Sequence, residues 1–150
     1  MDMPDIRSLI PHAGPMVLLD RVISVDEDSL LAEVCIRSDS LFCNGGGVGA
    51  WVGIEYMAQA IGAWAGYTAR LRGEPPKLGF LLGTRRYECR RPIFLLGSVL
   101  RVHVQRLYQN ENGLGSFECS IDNEEGRVAT ATVTVFQPHN VNDFILGSAE

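Results

Sequence analysis

Apolar and polar residues alternate with period two over most of this chain, and one long stretch breaks the alternation. Residues 16–25, MVLLDRVISV, read as a strand closed by a turn at Asp26-Glu27-Asp28. Residues 30–37 read as a second strand antiparallel to it. A glycine-rich loop over 38–49 follows, and then an apolar segment over 50–72 that Gly73-Glu74-Pro75-Pro76 terminates. Beyond it the two-residue period returns over 78–90, 99–108, 114–121 and 127–136, with a connection over 91–98 and turns at 110–113 and 122–126. In the second of these runs Leu100, Val102 and Val104 share one face, and Arg101, His103 and Gln105 the other. In the last, Thr130, Thr132 and Thr134 oppose Ala129, Ala131 and Val133. The order is strand, strand, long helix, then four strands. It predicts an α+β fold, an antiparallel sheet with one central helix, in a single domain over 1–150.

The helix invites a different reading, because about twenty residues with a single charge have the length of a membrane span. Gly49/Gly53 and Gly62/Gly66 even carry the small-xxx-small spacing of packed membrane helices. A bilayer would separate strands that need one another as partners, whereas a sheet wrapped around a helix requires an apolar helix. No membrane span is expected. Composition agrees with a soluble domain: 46% of residues are apolar and 21% charged. The net charge of −5 has no basic block behind it, which argues against nucleic acid. Arg85, Arg86, Arg90 and Arg91 form the one local basic cluster, readable as a solvated strand end or as a site for an anionic partner. Cys35, Cys43, Cys89 and Cys119 lack metal-ligand spacing, and three of them sit among alternating apolar residues as expected for buried thiols. Neither a metal nor a cofactor is expected. The N-terminal MDMPDIRS is acidic and polar, unlike a signal peptide, so the cytoplasm is the expected compartment.

The helix carries its one charge, Glu55, just past glycines 45, 46, 47 and 49, with Gln59 one turn on and on the same face. A carboxylic acid buried in such a segment takes up a proton and becomes a ready general acid. The N–H groups at Gly49, Ala50 and Trp51 stand at a helix N-terminus, where partial positive charge suits a ligand carbonyl. An acid beside an oxyanion-type pocket fits chemistry on a carbonyl or thioester. The residues allow equally that Glu55 hydrogen-bonds a neighbouring segment and that the glycines serve packing.

The stretch GIEYMAQA resembles the central-helix motif of the β-hydroxyacyl-acyl-carrier-protein dehydratases. The resemblance extends from about Leu9 to Phe136. LIPHAGPMVLLDRV is similar to that family's opening segment, RRYECRRPIFLLGSVLRVHV to a strand pair, and EEGRVATATVTVF to its last strand. It implies a hot-dog fold, in which a curved antiparallel sheet wraps a long helix. It implies also a dimer, either a homodimer or a heterodimer with a related hot-dog subunit, with sites at the subunit interface. The substrate class is then a 3-hydroxyacyl thioester of acyl carrier protein or coenzyme A, in fatty-acid or polyketide-type chain synthesis. One departure stands out. The family's catalytic His lies fourteen positions before the Glu, where this chain has Leu41, and no His occurs from 13 to 102.

Dehydration of a 3-hydroxyacyl thioester needs an acid for the departing hydroxyl and a base for the Cα proton. Glu55 supplies the acid in this reading, with Gly49, Ala50, Trp51 and Gln59 as substrate-binding residues. His12, on the Pro-His stretch of the opening segment, is the first choice for the base; His103, His139 and Cys43 come after it. Trp51, Trp64, Phe80 and Tyr87 are either acyl-pocket or core aromatics. Two other functions remain open: a hot-dog thioesterase in which the carboxylate activates water, and a non-catalytic subunit paired with a complete dehydratase.

Overall fold

A computed structural model describes residues 3–10, 14–74 and 80–136. In it a six-stranded antiparallel sheet packs on one face of a single long helix. The chain enters through a short 3-10 turn, Ile6–Ser8, and a second at Gly14–Met16. Strands β1 (Arg21–Val25) and β2 (Ser29–Cys35) form a hairpin. Two short strands follow, β3 (Cys43–Asn44) and β4 (Gly47–Gly49), and a 3-10 turn, Ala50–Val52, leads into helix α1 (Gly53–Leu71). The rest is β5 (Phe80–Cys89), β6 (Ile93–Leu95), β7 (Val99–Gln109), β8 (Leu114–Asn123) and β9 (Gly126–Phe136). The main sheet runs β1-β2-β7-β8-β9-β5; β3, β4 and β6 make a separate three-stranded sheet.

The alternation of the sequence maps directly onto the core. Leu100, Val102 and Val104 of β7, Phe117, Cys119 and Ile121 of β8, and Ala129, Ala131 and Val133 of β9 are buried against the helix. Small side chains on β9 let the sheet curve closely around α1, which contributes Met57, Ala60, Ala63 and Trp64.

Several boundaries differ from those the pattern predicts. The stretch 16–25 is a strand only from Arg21, because Met16 and Leu18 give their backbone groups to a helix side chain rather than to a ladder. The loop 38–49 and the connection 91–98 each contain strand, since β4 pairs with β6. Strands of two or three residues are too short to show a period. The hairpin between β8 and β9 closes on Glu124-Glu125 alone, with Asn123 opposite Gly126. Only Cys119 of the four cysteines is buried; Cys35, Cys43 and Cys89 lie on half-covered positions at sheet edges and ends.

The helix is not covered all round. Its sheet side and the side under the N-terminal segment are buried, while Ile54, Glu55, Ala58, Gly62 and Ala65 form a half-exposed stripe at helical spacing. The N-terminal segment crosses at Gly66, where a Cβ would stand 1.9 Å from the Leu9 carbonyl oxygen. Among the described residues no helix is long and apolar enough to cross a membrane.

Candidate active site

The 3-10 turn Ala50–Val52 and the first two turns of α1 collect most of the residues the sequence singles out. Gly49 caps the 3-10 turn with extended backbone, and Ala50 is buried. Trp51 is 65% exposed and meets the less exposed but also outward Phe42 edge-to-face, with ring centroids 5.3 Å apart. Glu55 lies one turn further on the half-exposed stripe, so it is not the deeply buried acid that the sequence suggests. The reason is positional: the six-stranded sheet covers the opposite side of the helix.

Gln59 is 1% exposed, and its amide is engaged at both ends. The oxygen accepts from the Leu18 N–H at 2.9 Å; the nitrogen donates to the Met16 carbonyl at 2.7 Å and to Glu55 Oε1 at 3.3 Å. One amide thus ties the N-terminal segment to the helix and holds the Glu55 carboxyl. The two residues are brought together, with Gln59 turned away from any open surface.

The Ala50 backbone is held from two sides. Its N–H donates to the Pro92 carbonyl at 3.0 Å, and its carbonyl accepts both from the Gly53 N–H and from the Tyr87 hydroxyl. Tyr87 reaches it from β5, where the register with β9 slips between Arg85 and Glu88 and Arg86 takes a positive φ of 55°. Burial pushes the Tyr87 phenol pKa well up, so it remains a proton donor. The pattern carries no signal for this contact, because a bulge erases the alternation that would assign Tyr87 a face. The basic cluster sits around the same bulge. Arg85, Arg86, Arg90 and Arg91 are all exposed, and Arg91 pairs with Glu125 at 3.0 Å.

The candidate bases are not gathered at Glu55 in the described residues. His103 lies on the half-exposed face of β7, opposite Leu31 and Ser120. Cys43 pairs through its backbone with Val48 on the small sheet. His12 and His139 lie outside the described residues, as does the side chain of Phe80. Leu41 lines a cleft of about 290 Å³ with Asp20, Cys35, Arg37 and Tyr56. Asp20 is fixed there by Arg37 at 2.8 Å and by the Cys35 N–H at 2.6 Å. Trp64 is core: it is 2% exposed, donates to the Asp26 carbonyl and packs on Phe117. No cluster of metal-ligating side chains occurs among the described residues.

A long helix with an antiparallel sheet curved over one side, and a carboxyl on the open side of its first turns, define a hot-dog protein. The family model described as ApeP dehydratase matches residues 4–146, and the chain belongs to this ApeP-like family of dehydratases. It is similar to the 3-hydroxyacyl-[acyl-carrier-protein] dehydratase FabZ of Bartonella quintana, with 27% identity over 139 residues, 89% of this chain and 87% of that protein. FabZ of Agrobacterium fabrum is 29% identical over 138 residues, 88% of this chain and 86% of its own. Among solved structures, a chain of the dehydratase heterocomplex ApeI:P from Xenorhabdus doucetiae superimposes with a TM-score of 0.89. That chain is 36% identical, and the match covers 97% of this chain and 98% of that one. A hypothetical thioesterase with coenzyme A from Streptococcus pneumoniae TIGR4 shares the fold alone, at 17% identity and a TM-score of 0.62 over 78% and 84% of the two chains.

Proposed function

We propose that this chain is the acid-bearing subunit of a two-chain dehydratase acting on 3-hydroxyacyl groups held as thioesters. The observation that carries the reading is Glu55 on the half-exposed stripe of α1, hydrogen-bonded to Gln59 and four residues past the outward Trp51, which pairs with Phe42. A carboxyl on an open helix face with exposed aromatics beside it fits a site completed from outside the chain. The match to a subunit of a dehydratase heterocomplex supports that reading.

The chemistry then divides between chains. A base on a second hot-dog subunit removes the Cα proton, and the electron pair moves into the thioester. Glu55 gives its proton to the hydroxyl on Cβ, the Cβ–O bond breaks, water leaves and the enoyl thioester remains. The peptide at Ala50–Trp51 stabilises charge on the thioester oxygen during the transfer. His12 is the alternative source of the base within this chain. The experiment measures enoyl product from a 3-hydroxyacyl thioester with the chain alone, and with the hot-dog chain that co-purifies with it. Product only in the complex, unaffected by His12→Ala, is the expected result. Full turnover by the isolated chain, abolished by His12→Ala, overturns the two-chain assignment.

An acyl carrier protein is the proposed carrier, with the cytoplasm as the compartment where four free thiols are at home. Carrier proteins of this kind are acidic, and the bulge of β5 turns Arg85 and Arg86 outward within two residues of Tyr87 and its Ala50 contact. Arg85→Glu with Arg86→Glu is expected to raise KM for the carrier-bound substrate roughly tenfold and to flatten its salt dependence. Turnover of the same acyl group on coenzyme A stays nearly unchanged. Equal carrier-protein KM in the double variant would remove the arginines from docking.

A further inference from the structure

We infer that Tyr87 is a positioning residue of the dehydratase site: it orients and polarises the Ala50–Trp51 peptide, whose N–H faces the thioester oxygen. The inference rests on the function proposed above and adds to it a residue on a different element of the fold.

Three separate features of the chain converge on one contact. The first is the hydrogen bond from the Tyr87 hydroxyl to the Ala50 carbonyl, which also accepts from the Gly53 N–H. The second is glycine at 53, the first residue of α1, a buried position with no side chain. A Cβ there would stand 2.3 Å from the Tyr87 hydroxyl oxygen, well inside its distances to Ile121 Cδ1 (3.1 Å) and Phe94 Cζ (3.2 Å), so the phenol is what most needs the missing side chain's room. The third is the bulge itself. Arg86 adopts φ 55°, a region that non-glycine residues rarely enter, and the register slip around it delivers Tyr87 to the helix. The unusual backbone at Arg86 and the missing side chain at 53 both serve the phenol–carbonyl bond.

The consequence is electronic as well as geometric. The Ala50 carbonyl and the Trp51 N–H belong to one planar peptide unit. Two donors on its oxygen draw charge toward that end and make the N–H at the other end a stronger donor. The same unit is held from the preceding residue by the Ala50 N–H on the Pro92 carbonyl. Trp51 stands second in the opening turn, where an N–H has no intrahelical acceptor. The peptide is therefore fixed before substrate arrives, as an oxyanion donor must be if it is to act without reorganisation.

The test compares wild type, Tyr87→Phe, Gly53→Ala and Glu55→Gln as complexes with the second hot-dog chain. Turnover is followed by hydration of a crotonyl thioester, and the carbonyl stretch of the bound thioester is read by difference infrared spectroscopy. In wild type the stretch shifts to lower frequency on binding. Tyr87→Phe is expected to lose part of that shift and to lower kcat roughly tenfold to a hundredfold with KM little changed. Gly53→Ala displaces the phenol and should reproduce both effects with Tyr87 intact, and the two changes together should be no worse than either. A merely structural tyrosine would lower the melting temperature and leave the carbonyl frequency alone. Wild-type frequency and kcat in Tyr87→Phe, with Glu55→Gln inactive, overturn the inference and spare the function. Wild-type activity in Glu55→Gln, or no carbonyl shift in the wild-type complex, overturns the function beneath it.

Discussion

Replacing Glu55 by Gln is expected to lower kcat/KM for dehydration by about 10²- to 10⁴-fold, the span a positioned general acid contributes. The substitution keeps shape, and the Gln carbonyl can still accept from the Gln59 amide, so the fold should lose little stability. What disappears is the proton for the leaving hydroxyl. Glu55→Asp retains the acid but withdraws it by one methylene, and a displacement of that order at a reacting centre costs up to about a hundredfold. The ordering wild type, Asp, Gln is the signature of proton donation, because Asn- or Gln-type hydrogen bonding alone would place Gln above Asp. Turnover within a few-fold of wild type in Glu55→Gln, with the same thermal midpoint, would show that the carboxyl only holds structure.

Much of this site is legible in the sequence, and what is hidden has identifiable causes. Helical spacing alone puts Glu55 and Gln59 on one face, and the structure joins them at 3.3 Å. The two-residue period fixes which residues of β7 and β9 enter the core. Burial of Glu55 is misjudged, because an apolar helix implies cover on every side, and the period cannot show where the sheet stops. The engagement of Gln59 with Met16 and Leu18 is invisible for another reason: it links positions more than forty residues apart through backbone atoms, which carry no sequence identity. It is also why the strand expected from residue 16 begins only at Arg21. Tyr87 escapes through the bulge, since one extra residue inverts the faces of everything beyond it. The small sheet escapes through its length.

The contacts with Met16 and Leu18 meet at Gln59, and Gln59→Leu is expected to destabilise the fold by about 1–3 kcal/mol, the desolvation cost of a stranded backbone donor. Leucine matches the volume, so packing against the helix is conserved and the loss reports the polar contacts. The Leu18 N–H is half-buried and has Gln59 Oε1 as its acceptor at 2.9 Å; Met16 is the more exposed of the two, so water can replace the amide at its carbonyl. The larger consequence is for chemistry. With Gln59 gone, the Glu55 carboxyl loses a fixed donor, and the segment before β1 loses its anchor on the helix. Activity should fall by roughly tenfold or more even at temperatures where the variant is fully folded. Denaturant unfolding measures the first effect and kcat the second. A double cycle with Glu55→Gln separates them: Glu55→Gln costs little stability, so the double variant should be about as stable as Gln59→Leu alone, whereas the kcat losses should fall short of additive because both changes act on the same proton. Additive kcat losses would mean that Gln59 serves the reaction through the N-terminal segment and not through Glu55.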